Sequence, residues 1–168
     1  MPGSLFPKIL IPVDFSRCSE EAFRVALSLA HVFQSEVLLL HVVDTKALDA
    51  LNALGLALPS AEAGQKKRLR HQARLNARRL LGFEEAKGLA IKRLIAEGTP
   101  FVEIARTARS EKVSLVVMGS YGGQTGNVEK IFFGGTAEKV TRTAGCPVLC
   151  VPLPGRPQPQ RRPAEAPQ

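Results

Sequence analysis

Glycine recurs at 119, 122, 123, 126, 134 and 135 within MGSYGGQTGNVEKIFFGGTAEKV, residues 118–140. Glycines let backbone N–H groups close around an anion with no Cβ in the way. A helix starting near Gly135 would add its unpaired first-turn N–H groups and the positive end of its dipole. Phosphate is the ligand that suits this chemistry. Two standard phosphate patterns are missing: there is no G-x-x-x-x-G-K-[ST], and no G-x-G-x-x-G follows the first strand. A flexible linker with glycines in tight turns would have the same spacing. The loop residues alone leave both readings open.

Other reactive side chains are scattered. Asp14 follows the first apolar run and suits either the ligand edge of a sheet or the cap of the next helix. Lys130 and Lys139 suit either a phosphate or solvent, and Tyr121 either a base or the surface. His41 lies inside a strand and reads as a hydrogen-bonded core residue. His31 and His71 lie on helices. No Ser-His-Asp or Cys-His set stands out, so no nucleophilic catalysis is expected. Cys18, Cys146 and Cys150 are an odd, sparse set. They argue for a reducing, cytoplasmic setting rather than a disulfide framework. Cys146 and Cys150 lack the partners of a zinc site and read as small buried apolar residues flanking a strand.

The elements that must position these residues alternate. KILIPV (8–13), EVLLLHVV (36–43), residues 89–96, SLVVM (114–118) and PVLCV (147–151) are short apolar runs suited to strands buried on both faces. The first helix, capped by Ser16 or Ser19, carries the stripe Ala22, Val25, Ala26, Leu29 and Phe33. A basic helix spans about 62–82, with Leu69, Ala73, Ala77, Leu80 and Leu81 inward. Its Arg70, Arg74 and Arg78 repeat every fourth residue on another side, one turn beyond Lys66. Thr99 suits an N-cap and Pro100 a first helical position, with Phe101, Ile104, Ala105 and Ala108 inward. A last helix runs from about Thr136 to Gly145. Crossovers of this length imply an α/β fold, a parallel sheet with helices on both faces. PVLCV would leave an open edge suited to pairing with its twin.

The 168 residues suit one domain over 1–153. Residues 44–61 read as a connection containing a short helix. The proline- and arginine-rich 154–168 reads as an extended, disordered tail. No run of about 18 apolar residues is present, so no membrane partner is expected. The N-terminus does not read as a signal peptide. The net charge of +8 admits an anionic partner. One tyrosine and no tryptophan leave little for base stacking, so nucleic acid is not expected.

KILIPVDFS, LLLHVVD, Gly98-Thr99-Pro100, VVMGSYG, GGTAEKV and CPVLCV occur in this order. Together they resemble the universal stress protein family across residues 5–153. The resemblance implies a doubly wound, five-stranded parallel sheet in order 3-2-1-4-5. It implies dimers formed along the last strand, and a branch that binds ATP, alone or with Mg²⁺. It puts Pro12, Val13 and Asp14 beside the nucleoside and the Val42 backbone at the adenine. Met118, Gly119, Gly122, Gly134, Gly135 and Thr136 then surround the phosphates. The function it implies is a dimeric adenine-nucleotide-binding stress-response module, with nucleotide ordering the 119–136 loop and a protein partner reading the result. Any enzymatic activity would be at most slow ATP hydrolysis. The alternative is a dimeric interaction protein that no longer binds nucleotide.

Two departures from the family motif bear on that choice. Eleven residues separate Gly122 from Gly134, where the motif has nine, and Gly135 stands where it has Ser or Thr. A hydroxyl bonded to a charged phosphate contributes about 1.5–3 kcal/mol. Thr136, one residue late, is the nearest replacement.

Overall fold

The structure, a computed structural model, describes residues 4–46, 50, 53–54, 59–121 and 134–153. Gly122, Gly123, Gly126 and Lys130 lie outside the described residues, as do most of the connection after Asp44 and the tail from 154.

Five strands are observed: β1 (Lys8–Pro12), β2 (Glu36–Asp44), β3 (Ile91–Gly98), β4 (Leu115–Gly119) and β5 (Val148–Val151). The helices between them are α1 (Arg17–Phe33), α2 (Pro59–Leu81), α3 (Pro100–Ser110) and α4 (Gly135–Thr143). All neighbouring strands pair parallel, in the order β3-β2-β1-β4-β5. The sheet expected from the resemblance is therefore present.

Period-two alternation explains why the strands read as continuous apolar runs. Ile9, Ile11, Val37, Leu39, Leu115 and Val117 face a core shared with α1 and α2. Leu10, Leu38, Leu40, Val116 and Met118 face a core shared with α3 and α4. Burial on both faces makes every residue of the central strands apolar.

Several expectations are corrected. In α1 the buried line is Cys18, Ser19, Ala22, Phe23, Ala26, Leu27 and Ala30. Val25 and Leu29 are only partly buried at its margin. Leu69 of α2 is 40% exposed, whereas Ala73, Ala77 and Leu80 are buried. The inward stripe on α2 thus begins one turn later than expected. Thr99 is the N-cap of α3 but makes no side-chain cap bond. Its carbonyl instead accepts from Val102 and Glu103 N–H. Cys146 and Cys150 are half-buried, and only Cys18 is fully buried.

Candidate functional site

β1 delivers the first wall. The sheet ladder continues one residue past the strand, where Val13 N–H donates to the Leu40 carbonyl at 2.8 Å. The chain then turns sharply at Phe15, whose φ of 63° is in the left-handed region. A non-glycine residue rarely adopts it, and here it directly follows Asp14, which borders a cavity. Asp14 Oδ1 accepts from Ser16 N–H at 3.0 Å. Ser16 in turn caps α1, its Oγ accepting from Ser19 N–H at 3.3 Å. Asp14 therefore holds the turn before α1 rather than capping the helix as expected, Ser16 being the N-cap, and it also lines the cavity.

β4 and α4 deliver the opposite wall. Ser120 N–H donates to Val151 O at 2.9 Å, and Ser120 O accepts from Gly134 N–H at 2.8 Å. This one residue ties the two ends of the glycine-rich segment together. The Ser120 hydroxyl is buried with no hydrogen-bond partner among the described residues. Gly134 is the N-cap of α4 and makes no side-chain cap bond. The first turn of a helix has no internal acceptors for its N–H groups. The amides of Gly135, Thr136 and Ala137 make no hydrogen bond to other described residues. All three residues border the cavity.

The two glycines of this wall differ. A Cβ on Gly119 would stand 3.0 Å from Cys18 Sγ and 3.1 Å from the Cys18 carbonyl carbon. Gly119 is therefore required by the close approach of α1 to β4. A Cβ on Gly135 would meet nothing within 4 Å.

Pro12, Val13, Asp14, Val42, Met118, Gly119, Gly134, Gly135 and Thr136 border one cavity of about 370 Å³. They are the site residues read from the sequence, apart from Gly122. The cavity lies beyond the carboxyl ends of β1, β2 and β4, where β1 and β4 meet and the strand order reverses. Open α/β sheets bind ligands at this place. Leu40, Asp44, Pro100, Ile104 and Tyr121 also border it. Of these, only Tyr121 had a sequence signal pointing to a ligand. Asp44 and Pro100 were findable as residues at a strand end and a helix start on the same side of the sheet. Lys139 lies elsewhere, its Nζ 4.9 Å from the centre of the Phe101 ring.

The floor is apolar (Leu40, Val42, Ile104, Met118), and Asp14 and Asp44 supply carboxylates. No Lys or Arg among the described residues borders the cavity. An anionic ligand group here would be met by backbone amides and a helix dipole rather than by cationic side chains.

His41 lies behind the first wall. Its Nδ1 is 2.8 Å from Val13 O, so Nδ1 carries the proton donated to that carbonyl. The Phe15 ring lies over the imidazole, centroids 4.6 Å apart. Burial lowers the His41 pKa below 6.5, opposed by the Val13 bond and the charge of Asp14. The expected hydrogen bond is observed, but His41 is only partly buried rather than a core residue.

The sequence profile of the universal stress protein family matches residues 5–152. Universal stress protein MJ0531 of Methanocaldococcus jannaschii is 35% identical over 151 residues, covering 90% of this chain and 85% of the relative. The solved structure of MJ0577 from the same organism is 30% identical and aligns with a TM-score of 0.74. That alignment covers 89% of this chain and 97% of the other. A universal stress protein solved in complex with cAMP aligns with a TM-score of 0.57 over 87% of this chain and 96% of its own. At 18% identity, that likeness shows the fold alone.

Proposed function

Since the chain belongs to the universal stress protein family, we propose that it is an adenine-nucleotide-binding regulatory module whose ligand is ATP, alone or with Mg²⁺. The observation that carries this reading is the convergence of nine sequence-selected residues on one cavity at the switch point of the sheet. The cavity is of ligand size, with an apolar floor and a few convergent polar groups. The cAMP complex of a protein with this fold is in keeping with it.

In this reading the adenine lies on the floor against the Val42 backbone. The ribose faces Asp14, whose carboxylate accepts from a sugar hydroxyl. The phosphates lie on the Gly135, Thr136 and Ala137 amides, with Gly122 closing over them. Three charge-assisted bonds from amides to phosphate replace the lysine of other phosphate sites. Bound nucleotide orders the 119–136 loop and so alters a surface that a protein partner reads. The module works in the cytoplasm as a homodimer joined along the last strand, residues 147–151, with no catalytic residue.

A second reading is favoured by one observation, Gly135 in the position of the motif's hydroxyl. In that reading the protein is a dimeric interaction protein without nucleotide.

One experiment separates the two. Purify the protein natively, denature it, and assay the supernatant for adenine nucleotide, then titrate the nucleotide-free protein with ATP and Mg²⁺ by calorimetry. Carried nucleotide or saturable one-to-one heat is the expected result. No nucleotide and no heat up to millimolar ATP would overturn the first reading.

A further inference from the structure

A second cavity, of about 510 Å³, opens on the other face of the sheet between α2 and the paired strands β2 and β3. Its floor is Val13, Leu39, Ala77, Leu94 and Ile95; its polar groups are His41, Arg74, Arg78 and Arg93. No Asp or Glu among the described residues borders it.

Two separate elements bring the arginines together. Arg74 and Arg78 are one helical turn apart on α2, a spacing that makes them neighbours. Arg93 arrives from the edge strand, opposite Leu39 in the β2–β3 register. Other arginines of the same helix have acidic partners: Arg70 pairs with Glu97 and Arg79 with Glu20. Arg74, Arg78 and Arg93 form no ion pair with a described residue.

We propose that this cavity is a second ligand site, independent of the nucleotide site, for a compact, multiply charged phosphate of the pyrophosphate type. Like charges gathered without a counter-charge repel, and a bound oxyanion removes that repulsion. Guanidinium groups fit it because each offers paired N–H donors to two phosphate oxygens. A flat basic face tracking a nucleic-acid backbone would place its cations along one surface. Here helix and strand bring them to one concavity with an apolar floor, which suits a small ligand. His41 reports on the site. Its Nδ1 proton is committed to Val13 O, so its Nε2 edge is the part that senses a ligand.

The test is calorimetric titration with pyrophosphate in metal-free buffer at fixed ionic strength. Three proteins are compared: wild type, R74Q/R78Q/R93Q, and the control K87Q/R106Q/R142Q. The control removes the same charge from exposed positions elsewhere. Wild type and control should bind one-to-one with equal affinity. The triple cavity variant should bind at least about tenfold more weakly, the loss of a single strong charge-assisted pair. In wild type the His41 imidazole NMR signals should move on titration. A thermal melt checks that the variants are folded, as expected for changes at exposed residues alone. The proposal is overturned if wild type gives no heat, if cavity variant and control weaken equally, or if binding leaves the His41 signals in place. ATP titration of the same proteins distinguishes failure of this site from failure of the nucleotide site.

Discussion

The two cavities described above share Val13 and no other lining residue. The cavity at the sheet edge presents two carboxylates and the amides of a helix start, with no cationic side chain among the described residues. The cavity under α2 presents three arginines and a histidine, with no carboxylate among the described residues. Backbone supplies the positive potential in one and side chains supply it in the other. The difference teaches how each should respond to change. Amides survive every substitution but proline, so the edge cavity is perturbed chiefly by what is placed beside them. Guanidinium groups can be deleted one by one.

The largest effect should come from Thr136→Asp. An added carboxylate at the start of α4 lies beside any phosphate held by the amides there. Like charges roughly 4–8 Å apart at an effective dielectric near 20 repel by about 2–4 kcal/mol. ATP affinity should fall roughly 30- to 700-fold. The fold should not suffer, because an acidic residue in a first turn favours the helix. Pyrophosphate binding under α2 should be unchanged. Calorimetry with both ligands checks this, and a parallel loss of both would erase the distinction between the cavities.

Next come the two glycines of the edge cavity. Gly119→Ala drives a Cβ against the Cys18 backbone. Overpacking of this kind costs about 1–3 kcal/mol. At this chain length each kcal/mol lowers the melting temperature by roughly 2–4 °C. Gly135→Ala meets open space and should cause no loss of stability. Equal melting temperatures for the two variants would remove the packing role assigned to Gly119.

A smaller effect tests the shared wall. Asp14 borders the edge cavity, yet its charge raises the pKa of His41, which borders the other. Asp14→Asn keeps an acceptor for Ser16 N–H and removes the charge. The His41 pKa, followed by NMR titration, should fall. An unchanged value would mean that the two cavities do not sense each other through the wall.

The same histidine sets a pH dependence of stability. Its folded pKa lies below the 6.5 of an unperturbed imidazole, mainly through burial. The unfolded chain therefore takes up its proton first as pH falls. The stability tied to a neutral His41 is fully present above pH 6.5 and is lost as the pH falls from there through the lowered folded value. Denaturant titrations from neutral to mildly acidic pH should show a steeper loss for wild type than for His41→Asn. Superimposable curves would show that the imidazole contributes nothing.

Much of this arrangement was legible in the sequence. Apolar runs such as EVLLLHVV announce strands buried on both faces, and their alternation with helices fixes a parallel sheet. Of the residues of the edge cavity, Asp14 and the glycines at and after the end of β4 were legible from their place at strand ends, whereas Pro12, Val13, Val42 and Met118 came only with the family resemblance. The strand order came only with the family resemblance, since nothing local to a strand names its neighbour. Leu69 misled because helical periodicity does not say how far along a helix its packing partner extends. Gly119 was legible as a place that favours a bare backbone, but not as a contact with Cys18. Arg70, Arg74 and Arg78 were visible as one repeat. Their separation into a paired Arg70 and two unpaired cavity residues depends on Glu97 and Arg93, which reach α2 only through the β2–β3 register.

The most direct test of the nucleotide site is an NMR titration of nucleotide-free protein with ATP, read at the backbone amides of Gly135, Thr136 and Ala137. Saturable shifts at these three amides, with Arg74, Arg78 and Arg93 undisturbed, are the predicted result. ATP binding that leaves the three amides unmoved, or no binding at millimolar ATP, would contradict it.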